Sequence, residues 1–207
     1  MNTQQKIKIS KVLGLIVSVT GIIVIIGWVF DIGILKSISP GWISMKLSTA
    51  FTFLLGGISL YFIARSGEGE FEEIQAGLSI TSLLIVLIMG TLFFSSLLSV
   101  HTGVEDLFIE EKGNLVKSTA PGRPSIPTMF NFLLIAAGGI LTILNSEKLQ
   151  LKLKIFGYII GAIGALAIIG YLINVPVLYY YINGLNSAMA FHTAILFTLL
   201  GAGLICL

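Results

Sequence analysis

Five stretches of this chain carry no charged side chain: residues 12–30, 47–64, 74–104, 124–146 and the whole of 155–207. A helix needs about 20 mostly apolar residues to cross the roughly 30 Å hydrocarbon core of a bilayer. The first four stretches fit one crossing each, and the fifth holds two, divided around residues 174–186. The expected fold is therefore all-α and polytopic, with six transmembrane helices near 12–30, 47–64, 77–99, 126–144, 155–173 and 189–207. A transmembrane barrel would need alternating lipid-facing and lumen-facing residues, and these runs lack that alternation. Only 11% of the residues are charged, against about a quarter in ordinary soluble domains.

Charge outside the runs sets an expected orientation. Lys6, Lys8 and Lys11 precede the first helix, and such clusters stay in the cytoplasm. Six crossings bring the C-terminus back to the same side. Seven basic residues (Lys6, Lys8, Lys11, Arg65, Lys148, Lys152, Lys154) then lie inside and five (Lys36, Lys46, Lys112, Lys117, Arg123) outside. The polar N-terminus lacks the cleavage pattern of a secretion signal, so the first helix is expected in the mature protein. Cys206 is the single cysteine, which excludes an internal disulfide.

Internal repetition organises the chain. Thr49 and Phe53, Thr128 and Phe132, and Thr193 and Phe197 each stand four apart at the start of an apolar run. Upstream of each pair lie two glycines thirteen residues apart: Gly14 and Gly27, Gly77 and Gly90, Gly157 and Gly170. This spacing predicts three helical-hairpin repeats over about 12–64, 77–144 and 155–207 within one membrane domain. The middle copy is longer, with 38 residues from Gly90 to Thr128 against 22 and 23 in the others. The extra length falls in an insert at 101–125, where Val104, Leu107 and Phe108 suit a surface helix and Leu107 to Lys117 suits a hairpin. Gly157, Gly161 and Ala165 form a small-residue row that admits a close helix neighbour. Trp28, Trp42, Tyr179, Tyr180 and Tyr181 read as interfacial anchors.

No ionisable side chain lies inside the expected helices, which argues against a proton-coupled transporter, a voltage sensor and an aspartyl intramembrane protease. A retinal protein would need a membrane lysine. Phosphate loops, metal-ligand clusters and Ser/His/Asp sets are missing from the sequence, so no catalytic residue, metal or cofactor is implied. The sharpest ligand-site reading gathers Thr49, Thr128 and Thr193 at the outer mouth of a threefold bundle, with Asn131 and His192 nearby. Capping by Ser48, Thr49 and their counterparts explains a repeated threonine equally well. Asn131 also reads as an interhelical hydrogen bond, and His192 as a cap or as one half of a metal pair with His101.

At the repeat core the sequence resembles the N-terminal membrane region of bacterial and archaeal sensor histidine kinases and related PAS-containing signalling proteins. Their hairpins carry a pattern like Met-x-Pro-x-Thr-Ala-x-x-Phe-Leu-Leu-x-Gly. Met45, Thr49, Ala50, Phe53, Leu54, Leu55 and Gly57 match it, as do Met189, Thr193, Ala194, Phe197, Leu199 and Gly201. The middle copy departs at Pro124, Met129 and Ala136, and Leu47 and Phe191 replace the pattern's proline. The resemblance implies a non-catalytic sensory input domain in the cell membrane. It would be surrounded by membrane lipids, dimeric by analogy, and would signal through its last helix to a cytoplasmic domain in cis or in trans. No nucleic-acid partner is expected. No kinase sequence is present, and the helix that reaches Leu207 without flanking polar residues is expected to continue into an output region. The alternative readings are a small transporter, a lipid-binding or scaffold subunit, and a membrane enzyme holding a metal between His101 and His192.

Overall fold

The computed structural model describes residues 2–39, 41–67, 71–104, 122–182 and 187–207. Both readings of the insert fall largely on 105–121 and lie outside the described residues. Among the described residues eight α-helices appear in order: α1 (Thr3–Val29), α2 (Gly33–Lys36), α3 (Leu47–Arg65), α4 (Phe71–Ile85), α5 (Thr91–Leu98), α6 (Ile126–Ile143), α7 (Leu149–Leu172) and α8 (Phe191–Ile205). A π-helical turn at Val86–Gly90 joins α4 to α5 into one rod, and Pro176–Tyr179 forms a short 3-10 turn. The protein is a polytopic helical membrane protein. Five of its helices are long and apolar enough to cross a membrane, and α8, at 15 residues, is shorter.

Four helix starts differ from the expected ones: α4 begins at Phe71 rather than 77 and α7 at Leu149 rather than 155, while α1 and α8 differ for identifiable local reasons. α1 starts nine residues before position 12 because Asn2 and Gln5 close a capping box: Gln5 N–H donates to Asn2 Oδ1 at 2.8 Å and Asn2 N–H to Gln5 Oε1 at 3.1 Å. Two orphan backbone donors are thereby satisfied, and Lys6, Lys8 and Lys11 ride on the helix. α8 begins at Phe191 rather than 189, because Met189 is held outside it by its own hydrogen bonds, as described below.

Three hairpins follow from the packing. α1 pairs with α3, the α4–α5 rod with α6, and α7 with α8. The second helix of each hairpin is the inner one, and α3 touches both α6 and α8. Each outer helix also leans on the inner helix of a neighbouring hairpin: α1 on α8, α4 on α3, and α7 on α6. Burial follows this division, with 67% of the apolar window of α3 enclosed against 28% for α7. On the axis, Phe53, Phe132 and Phe197 are fully buried and pack as a triangle, with ring centroids 4.7, 4.8 and 4.9 Å apart.

Glycines close the first and third hairpins. A Cβ on Gly14 would lie 2.7 Å from the Gly57 carbonyl, and one on Gly21 2.7 Å from that of Ala50. The third hairpin has the same arrangement: Gly157 lies against the Gly201 carbonyl at 2.7 Å and Gly164 against that of Ala194 at 2.6 Å. Such separations leave no room for any side chain. The seam of α7 runs along Gly157, Gly161 and Gly164: a Cβ on Gly201 would lie 2.6 Å from Gly161 N and 2.7 Å from its Cα, although a Cβ on Gly161 itself would keep an ordinary 3.8 Å from its nearest neighbour. In the middle hairpin the contact passes instead through Ser82, whose Oγ would lie 2.5 Å from a Cβ on Gly139. Gly77 faces the Phe62 ring of α3, and Gly90 has nothing nearer than 3.8 Å. The thirteen-residue glycine spacing of the middle copy thus does not reproduce the seam of the other two. The far end of α8 is tied to α1, where buried Ser10 donates its hydroxyl to the Gly203 carbonyl at 2.6 Å.

Candidate functional site

The inner helices start alike. Lys46, Ser125 and Ala190 occupy the N-cap positions with ψ of 147°, 149° and 151°. Thr49, Thr128 and Thr193 are consequently each the third residue of their helix, and each is only 2% exposed. Capping does not account for all three. Ser125 caps α6, accepting from Thr128 N–H at 3.3 Å and sharing a 2.7 Å hydroxyl contact with Thr128, but no side chain caps α3 or α8.

The three threonines line one cavity at this end of the bundle, together with Met45, Lys46, Pro124, Ser125, Met189 and Ala190. Its volume is about 10 Å³, counted as room for the centre of a water-sized sphere, so it holds about one water or one small ion. One turn further along the inner helices, the phenylalanine triangle closes the axis beneath the cavity without lining it.

Two aromatic donors from the outer helices shape the wall. Trp28, 8% exposed, is no interfacial anchor; its Nε1–H donates to the Met45 carbonyl at 2.8 Å. The Tyr171 hydroxyl donates to the Met189 carbonyl at 2.9 Å. The N–H groups of the same methionines are held too, by the Lys36 and Tyr179 carbonyls, both at 2.9 Å. Each loop reaches this position by the same path. The chain turns at a positive φ (Asp31, 54°; Asn174, 55°). A loop leucine then settles on the last glycine of the outer helix, leaving a Cβ on Gly27 only 2.5 Å from Leu35 Cβ and one on Gly170 only 2.6 Å from Leu178 Cβ. In the first loop, the Lys36 ammonium lies over the Trp28 ring, 4.9 Å from its centroid. It also hydrogen-bonds the exposed Asp31 carboxylate, and that bond together with its charge holds the Asp31 pKa below its usual value. In the second loop Tyr179 is buried and stacked on Tyr171 at 4.3 Å, and Tyr180 donates to the Ile163 carbonyl at 2.9 Å. These two tyrosines pack inward rather than anchoring to headgroups.

No family model matches this chain, and neither does any curated protein or solved structure.

The remaining candidates fall elsewhere. Asn131 is completely buried with neither amide atom bonded, so the interhelical hydrogen bond expected of it is not made, and it is not on the cavity wall. His192 is buried with both ring nitrogens unbonded and is also off the wall, while His101 is exposed beyond the end of α5. The described residues contain no group of three or more His, Cys, Asp or Glu placed to hold a metal ion. Trp28 and Tyr171 escaped sequence reasoning as site residues. Their common place, immediately after Gly27 and Gly170, was the available signal.

The chemistry of the cavity is that of hydrogen-bond donation. No acidic side chain of the described residues lines it. Three helix N-termini converge there, each bringing first-turn N–H groups and the positive end of its dipole.

Proposed function

We propose that this chain is the membrane input module of a signalling protein. The signal is received at the threonine-lined cavity and relayed along α8 to the opposite end of the bundle. The observation that carries this reading is that α8 links the two ends: Thr193 stands in the cavity wall, and Cys206 follows the helix at its far terminus. Between them α8 lies on α7 through backbone contacts at Gly201 and Ala194, a smooth seam along which a helix can shift between two packings. The seven basic residues at the end that bears the chain termini favour a cytoplasmic position for that end. The output is a kinase-type domain in cis or in trans, and the assembly is a homodimer by the analogy that the repeat motif provides. The phenylalanine triangle argues against the transporter reading, because a transport path would have to pass through three fully buried rings.

The single cysteine supplies the test. Thr49→Leu overfills the cavity from α3 and presses on α8 while leaving the sequence of α8 unchanged. In membranes it is expected to change the rate at which Cys206 reacts with a maleimide at least threefold, while Phe130→Leu on the exposed face of α6 leaves that rate unaltered. An unaltered rate in folded Thr49→Leu protein would remove the relay.

A further inference from the structure

Five other threonines of these helices satisfy themselves. Thr20, Thr52, Thr81, Thr142 and Thr198 each donate to the carbonyl four residues back, at 2.7 to 3.0 Å. Thr49 and Thr193 do not. Their fourth-preceding carbonyls, Met45 and Met189, are the two that receive the Trp28 and Tyr171 donors. Among the described residues neither hydroxyl makes a hydrogen bond, and both threonines, 98% buried, stand on the wall of the cavity. The N-cap carbonyls are turned into their own helices, accepting from Ala50, Met129 and Ala194 N–H at 3.0, 3.1 and 3.0 Å. The wall therefore keeps its donors and commits its principal acceptors elsewhere. Donors at converging helix N-termini select negative charge.

We infer that the cavity between Thr49, Thr128 and Thr193 binds one small anion, a halide or the carboxylate end of a larger molecule. The threonine hydroxyls and the first-turn N–H groups of α3 and α8 donate to it. The volume admits a single ion or a single carboxylate group and excludes a whole metabolite. Trp28 and Tyr171 are positioning residues, since they act by withdrawing the competing carbonyls. The inference rests on reading this cavity as the receiving end of the module and names the chemistry it receives.

The test is thermal unfolding of the full chain in detergent, at constant ionic strength set with sodium methanesulfonate, titrated with chloride, bromide or formate. The expected result is a saturable rise in Tm of roughly 3 °C or more at a tenfold excess over Kd, abolished in the isosteric Thr49→Val/Thr193→Val variant. A response to halides alone assigns a monatomic ion, and a response to formate assigns a carboxylate. No saturable rise with any of the three, or an equal rise in the double variant, would overturn the site. Should that variant fail to fold, anomalous diffraction from bromide-soaked crystals of the unaltered protein decides, by a peak between Thr49 and Thr193 or by its absence at saturating bromide. Anion binding with an unaltered Cys206 rate in Thr49→Leu removes the relay and keeps the site, and a Cys206 response without anion binding does the reverse.

Discussion

Trp28 and Tyr171 have different rings, yet each delivers one hydrogen to one carbonyl of a methionine that precedes an inner helix. Tyr171→Phe retains the ring and deletes only the donor, whereas Trp28→Phe also removes part of a buried indole. Tyr171→Phe is expected to cost about 0.6–1 kcal/mol, the usual worth of such a bond in a membrane protein, seen as a fall in Tm of roughly 2–4 °C, and Trp28→Phe to cost more through the void it leaves. The freed carbonyl then becomes available to the Thr49 or Thr193 hydroxyl, so anion affinity is expected to fall although the cavity wall itself is untouched. Full anion response in both variants would separate the aromatic donors from the site. The shared place of Trp28 and Tyr171 after Gly27 and Gly170 was legible in the sequence, but their acceptors were not. A tryptophan near a helix end reads as an interfacial anchor, because its acceptor lies 17 residues away on another element and no local pattern announces it. Asn131 misleads in the opposite sense. A buried amide promises a partner, and the structure gives it none.

At the scale of elements, small residues foretold close helix approach but not which of them meet backbone. Gly157 and Gly161 stand one turn apart and look alike in sequence. A Cβ on the first would strike a carbonyl at 2.7 Å, while one on the second would find its nearest atom at 3.8 Å. Gly157→Ala and Gly164→Ala are expected to destabilise by about 1–3 kcal/mol through overpacking. Gly161→Ala and Gly90→Ala are expected to be neutral or to stabilise by up to about 1 kcal/mol through helix propensity. Thermal unfolding of the four single variants checks this order, and equal losses at all four positions would refute the seam. The helices themselves were legible because charge-free runs leave little alternative in a bilayer. Their starts were less so: the Asn2 and Gln5 box was present as a signature, yet the lysines behind it read as a tail.

The whole molecule is organised by the meeting of Phe53, Phe132 and Phe197, and here the sequence was most informative, since the recurrence of Thr and Phe at one spacing marked the three segments that share an axis. Phe132→Ala is expected to cost about 3–5 kcal/mol and to leave a void one turn below the cavity, so that anions larger than formate, such as acetate or propionate, begin to raise Tm. A variant that stays folded and still rejects them would show that the rings do not set the depth of the cavity. The middle hairpin resisted prediction for a physical reason: Gly77 faces the Phe62 ring and Gly90 has nothing nearer than 3.8 Å, so the glycines of its outer helix do not meet the backbone of its inner one.

The bond from Ser10 to Gly203 joins residues 193 positions apart. During synthesis the N-terminal segment emerges first, so α1 must wait beside α3 with its groove for α8 vacant until the last helix arrives. For most of its assembly the bundle is an open horseshoe held by lipid at one seam, and it becomes a closed ring only when the final segment enters the membrane.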